Sequence, residues 1–365
     1  MSEWRYIATR MNGDGTETFL SYEVPLGDVS IQESLSGHGG IDASISPEVL
    51  DLKDKNNRPI FVPWSTAIYA EASGQIRGGG ILTTPVINGP KIDLDCIGHT
   101  GYFADQPWPW EDKYDKADPL VIDRYLVDKF QTQKHFNIGL KATGAKESQM
   151  VRLSETVSGK NELYYIAAWQ TADLDRERTQ LAEAGGYEWV VGHRWSGEKI
   201  LHELEYGYPR IGKRRTDLTF IVGENIIVDP TVTEDGEEYA SHALVLGAGQ
   251  GRKMVRAEAS SSTKRLGRWK VVTDKNLGKK DLAQKRATAT LAALAGELDV
   301  TSVEVWDSPN ARIGSYRAGD EILIQSSDRG GWSDFGDLWV RILGITHHPE
   351  KNTSTLQIRR TEKIT

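Results

Sequence analysis

Any chemistry in this chain would have to come from a few side-chain groupings. Carboxylates stand close together at Glu111/Asp112, Asp93/Asp95, Asp173/Asp175 and Asp334/Asp337. Two carboxylates facing across a cleft are the machinery of glycoside hydrolysis. Trp108 and Trp110 stand beside Glu111 and Asp112 in the run QPWPWED, where they could serve as a sugar platform. A proline-rich linker whose tryptophans pin one domain on the next accounts for the same residues. The histidines are scattered: His38, His99, His135, His193, His202, His242, His347 and His348. No HExxH pattern occurs, and on a strand the adjacent His347 and His348 would face opposite sides, so the sequence predicts no metal centre. Gly247-Ala248-Gly249-Gln250-Gly251 comes after the apolar run ALVL as a dinucleotide loop would. Such a loop needs a helix next, to hold pyrophosphate at its N-terminus. The next residues, RKMVRAEASS, alternate like a strand instead. A glycine-rich hairpin or bulge and no cofactor are therefore expected. No GxSxG elbow is present, which excludes the common serine-hydrolase arrangement. The sequence thus predicts no catalytic residue.

One run is cationic instead. Within Tyr206–Phe220, YGYPRIGKRRTDLTF, the residues Arg210, Lys213, Arg214 and Arg215 crowd together in a chain of net charge -8. Pro209, Gly212 and Thr216-Asp217 supply turn chemistry, and apolar segments flank the run at Lys199–Glu205 and Leu218–Val228. This reads as a basic loop between two strands. It could be a solvated turn, a contact with the acidic surface of another subunit, or a contact with passing DNA phosphates.

The elements that would position these groups change along the chain. Up to about residue 100, short alternating runs such as WRYIATRM, TETFLSYEVPL, GIDASIS, TAIYAEA and KIDLDCIGH are separated by turn residues. They predict a small antiparallel barrel or sandwich. Ser46-Pro47 predicts one short helical turn. A helix is expected over Asp118–Gln131, with Ile122, Tyr125, Leu126 and Phe130 on one face. A second is expected over Thr171–Ala184, with Leu174, Leu181 and Ala182 inward and Gly185-Gly186 as its stop. A third covers Lys280–Leu294, with Leu282, Ala283, Ala287, Leu291 and Leu294 apolar. The remainder returns to strand texture at Thr301–Trp306, Asp320–Ile324, Leu338–His347 and Thr353–Arg359.

Bulk properties bound the reading. A chain of 365 residues favours two to four domains. No apolar run is long enough to cross a membrane and MSEWRYIATR lacks a signal-peptide core, so a soluble product made in the cytoplasm is expected. The one cysteine, Cys96, excludes an internal disulfide and reads as an inert buried thiol. Residues 1–115 carry 8 Lys+Arg against 17 Asp+Glu, and overall acidity argues against a dedicated nucleic-acid binder. Tryptophan is abundant at 11, which suits interface cores or several small internal cores.

Several segments resemble minor tail proteins of long-tailed phages of actinobacteria. They are WRYIATRMNGDGTETFLSYEVPL; RPIFVPWSTAIYAEASGQIRGGGIL with KIDLDCIGHTGY; EYGYPRIGKRRTDLTFIVGENII; and SVEVWDSPNARIGSYRAGDEILIQ with LWVRILGITHHPEKNTSTLQIRR. Together they cover most of the chain, in order. The resemblance is to the tail hub, or tail-associated-lysin N-terminal, family. It implies a mainly β fold with α+β inserts: two antiparallel β-barrel domains plus an α+β domain. The first barrel would be 1–113, the insert 114–216 with 259–300, and the second barrel 217–258 with 301–365. It further implies a homotrimer at the virion's tail tip, contacting the distal tail protein ring, the tape measure protein and other minor tail or fibre proteins. Passing contact with phage DNA is part of that expectation. The chain ends directly after its last predicted strand, so a cell-wall hydrolase or fibre is expected on another polypeptide. On this view Arg210–Arg215 is a joint between subunits, with Trp108 and Trp110 as further interface candidates. A cell-wall carbohydrate-active enzyme or a receptor-binding module of the tail tip is the competing expectation.

Overall fold

The computed structural model describes residues 3–148, 154–157, 160–227, 232–233, 239–262, 265–274, 277–294, 299–325 and 337–361. Asp334, of the last carboxylate pair, lies outside them. Strands dominate, and most of them join one 12-stranded sheet. Its order runs Arg214–Ile221, Glu321–Gln325, Leu338–His348, Gly27–Ser34, Gly40–Ile45, Lys91–Ile97, Gln75–Asn88, Thr66–Ala72, Trp4–Met11, Glu17–Ser21. Thr353–Arg360 branches off Leu338–His348 and carries Ser302–Trp306 on its other edge. Every neighbouring pair is antiparallel except Arg214–Ile221 with Glu321–Gln325, which is parallel.

The described residues contain no closed barrel, which corrects the expectation of two. The reason is the strand Leu338–His348. It has 11 residues and a register shift between Ile342 and Gly344. Its first half pairs with Glu321–Gln325, and its second half pairs with Gly27–Ser34 through Gly344↔Ser34, Ile345↔Glu33, Thr346↔Gln32 and His347↔Ile31. An edge that could have closed a barrel instead joins the two ends of the chain, and the joined sheet has no unpaired strand there. Separate cores line this sheet, two of them large. Ile31, Ile41, Ile68, Leu82, Leu94 and Cys96 belong to one of these two, and Phe220, Ile322, Val340, Ile342 and Leu356 to the other. Cys96 is buried as expected, and burial pushes its thiol far up, so it is inert.

The helices follow their sequence signals closely. Pro119–Phe130 starts at the Asp118 cap, whose carboxylate accepts from Leu120 N at 2.8 Å. Ile122, Leu126 and Phe130 are buried, whereas Tyr125, expected beside them, is 41% exposed and Val127 takes an inward place. Leu174–Gly185 is stopped by Gly186 in the left-handed region at φ 62. Both helices pack on a core containing Trp108, Leu174, Leu181, Trp189 and Leu204. Residues 259–300, grouped from sequence with 114–216, place their helix Lys280–Ala293 on the strands His242–Leu246 and Arg256–Ser260. Its Ala283, Ala287 and Leu291 form a small core with Ala243, Val245 and Ala257, while Leu282 is exposed.

Candidate functional site

The cationic run is only half a loop. A strand begins at Arg214, so Arg214 and Arg215 stand on the sheet edge and point to opposite faces. Arg214 Nε donates to Glu321 Oε2 at 2.9 Å, and its guanidinium lies over the Trp339 ring at 4.5 Å. Arg210 Nη1 reaches the other Glu321 oxygen at 3.9 Å. Arg215 is buried. It donates to Asp217 at 2.8 and 2.6 Å, to Asp320 at 3.2 Å, and to the Ser315 carbonyl. The Arg215 guanidinium holds the Asp217 carboxyl down to about 2. Lys213 is exposed, and its backbone N–H donates to Asp320 at 3.0 Å. The outward-facing charge of this edge is thus Arg210, Lys213 and Arg214; Arg215 is an internal fastening.

Behind the edge lies a second clamp. Arg341, 1% exposed, donates to Glu188 Oε1 at 2.7 Å, to the Ile211 carbonyl at 2.9 Å and to the Gly319 carbonyl at 3.1 Å. Glu188 Oε2 accepts in turn from Ile211 N at 2.8 Å. One ion pair therefore ties the strand Leu338–His348, the hairpin strand Glu188–Ser196 and the basic run.

Trp108 and Trp110 are core and rim. Trp108 is buried, and its Nε1–H donates to Asp112 at 2.8 Å. Trp110 packs edge-on against it with centroids 4.7 Å apart. Lys129 Nζ donates to Asp112 at 2.9 and 3.0 Å and sits over both indoles. A buried Trp108 offers no face to a sugar, and Asp112 is fully engaged by Lys129, Trp108 and Tyr125. The glycine run behaves as the hairpin expected of it. Gly251–Lys253 makes a single short turn before the strand Arg256–Ser260, and no helix comes next to hold phosphate.

The scattered histidines are where the structure departs most from the sequence. His347 and His348 do face opposite sides, one buried and one half-buried. His99, His193 and His202, however, come together. Glu188–Ser196 and Lys199–Gly207 form a hairpin around Gly197, at φ 62, and its register places His193 opposite His202. His99 enters from the turn His99–Phe103. Its ring centroid lies 4.7 Å from that of His193 and 4.4 Å from that of His202. One ligand nitrogen from each imidazole lies within 4.8 Å of the others. His193 Nδ1 and His202 Nδ1 are 2.9 Å apart. Glu17 Oε1 lies 3.1 Å from His202 Nε2 and accepts from Tyr69 OH at 2.6 Å; that hydroxyl lies 3.3 Å from His99 Nε2. Gly79 makes room, since a Cβ there would stand 2.3 Å from the Tyr69 ring and 3.3 Å from the His193 ring. Burial, aided by the neighbouring imidazoles, holds His99 and His193 far below the ordinary histidine range. His99 Nδ1 and Glu17 Oε2 are buried without a hydrogen-bond partner, each costing about 1–3 kcal/mol. Sequence reasoning missed this trio because its members stand far apart in the chain. Only the Gly197 turn, with a histidine on each arm, was legible.

No protein-family model matches the sequence, and no curated protein does. Solved structures do match. Over 99% of its length the chain is similar to the 43 kDa tail protein of prophage MuSo2 from Shewanella oneidensis, covering 99% of it at 13% identity and a TM-score of 0.62. It is similar over 99% of its length to the tail protein from Neisseria meningitidis MC58, covering 98% of it at 13% identity and a TM-score of 0.59. A third likeness, to prophage tail protein gp18 from Listeria monocytogenes EGD-e, spans 99% of this chain and 95% of that one at 13% identity, with a TM-score of 0.57. At such identity the likeness is one of fold: the chain is folded as these tail proteins are, nearly from end to end.

Proposed function

We propose that this chain is a structural protein of a phage tail, placed at the tail tip as a hub that closes the tube and anchors other tip proteins. The observation that carries this reading is the end-to-end likeness of fold to the Shewanella prophage tail protein, 99% of each chain. The sequence resemblance to hub proteins of long-tailed phages supplies the finer placement. Its work is mechanical. It adapts the tube to the tip, offers a platform during host attachment, and stands in the path of the genome. The partners are further copies of itself in a homotrimer, the distal tail protein ring, the tape measure protein and other minor tail or fibre proteins. Arg210, Lys213 and Arg214 form the cationic half of the joint between copies, opposite the acidic surface of residues 1–115. Trp64, Trp169, Trp269 and Trp306 are exposed, as suits a surface covered on assembly. The burial of Trp108 weighs against the carbohydrate-active alternative.

The test is the mass in solution and its dependence on the joint. Light scattering at micromolar concentration should give a trimer for the wild-type chain. Arg210→Glu with Lys213→Glu should shift it to monomer while leaving the thermal midpoint of the monomer almost unchanged. A wild-type monomer, together with a reconstructed tail tip lacking this chain, would sink the reading.

A further inference from the structure

We propose that His99, His193 and His202 bind a single first-row transition-metal ion, of which Zn2+ suits their chemistry best. Imidazole nitrogen is a common ligand for zinc, at about 2.0–2.1 Å, which sets paired ligand nitrogens about 3.3 Å apart in a tetrahedron. The three histidines bring ligand nitrogens within 4.8 Å of one another, and two of them already stand 2.9 Å apart. Only small side-chain shifts separate this cluster from a coordination shell.

The hydrogen bonds also select which nitrogens face the ion. His202 Nε2 contacts Glu17 Oε1 and His99 Nε2 contacts the Tyr69 hydroxyl, so in these two rings the outer nitrogen has its partner. This is the carboxylate–histidine arrangement that orients ligands and fixes their tautomer around metals. It leaves Nδ1 of His99, which is buried without a partner, and the facing Nδ1 atoms of His193 and His202. In the metal-free chain one hydrogen must lie between those two Nδ1 atoms; when an ion enters, the ring that gives up this hydrogen takes one at its Nε2, so it ligates as a neutral imidazole. Glu17 supplies negative charge beside the dication, and its Oε2 is the second buried atom without a partner.

The position of the site gives it a role. Glu17 and Tyr69 stand on strands of the large sheet, His99 on a turn beyond it, and His193 and His202 on the hairpin of the α+β region. An ion there would bolt that hairpin to the sheet, as a structural zinc does.

The experiment uses the whole chain. Protein stripped of metal by a chelator is titrated with Zn2+, and separately with Co2+ as a coloured probe. We expect uptake of about one ion per chain, Co2+ bands of nitrogen coordination, and a thermal midpoint raised by several degrees at saturating Zn2+. His193→Gln should weaken Zn2+ binding by ~100-fold or more, whereas His135→Gln should leave it unchanged. The wild-type titration needs no variant to fold. Wild-type protein that takes up no Zn2+ with no change in midpoint would overturn the proposal, as would a His193→Gln chain that keeps one tightly bound ion.

Discussion

Single residues here carry charge into places where water would otherwise compete. Arg215 shows why the basic run cannot be treated as one patch: reversing it would set a carboxylate against Asp217 and Asp320 and damage the fold itself. That is why Arg210 and Lys213, on the outward side, are the informative positions for assembly. His347 makes a prediction of a different kind. It is 2% exposed and its Nδ1 lies 2.7 Å from Ser354 Oγ. Burial, then Arg77 and His348, push it from 6.5 down to about 4, against an opposing pull from Asp307. The unfolded chain therefore takes up this proton first as pH falls. Nothing is lost above pH 6.5; between 6.5 and 4 the folded state should lose about 3 kcal/mol through this group. His347→Gln, which keeps a polar partner for Ser354, should flatten that part of the stability profile. Urea denaturation at pH 7 and pH 5 measures it, and equal slopes for both chains would refute the assignment.

Elements were set largely by local chemistry. Asp118-Pro119 starts one helix and Gly186 stops the other, as their sequences required. A Cβ on Gly186 would touch nothing within 4 Å, so a change there reports backbone strain alone. Gly186→Ala should cost about 1 kcal/mol, read from the urea midpoint at unchanged slope. A cost near zero would mean that the turn relaxes out of the left-handed region.

The whole molecule is held by joints between distant parts of the chain. Arg341 and Glu188 connect the sheet to the hairpin that carries two of the three clustered histidines. Arg341→Met should cost ~3–5 kcal/mol, because it leaves Glu188 without its cation. Adding Glu188→Gln should restore part of that loss, so the double variant is more stable than the sum of the singles. Strict additivity in denaturation would show that the pair does not act as a clamp. The same scale decides the proposed assembly, in which the acidic first third of the chain faces the cationic edge of a neighbouring copy.

The sequence by itself determined the strand-rich texture, the places of the helices, the hairpin nature of the glycine run and the inertness of Cys96. Each rests on periodicity, caps, turns or burial read within about twenty residues. Tertiary structure alone decided three things. It joined Leu338–His348 to Gly27–Ser34, making one open sheet where two barrels were expected, because strand pairing across three hundred residues leaves no local mark. It sorted the basic run, burying Arg215 and leaving Lys213 outside, because which residues start a strand depended on the partner Glu321–Gln325. And it gathered His99, His193 and His202: a hairpin can pair two histidines from sequence, but only packing against the sheet brings the third.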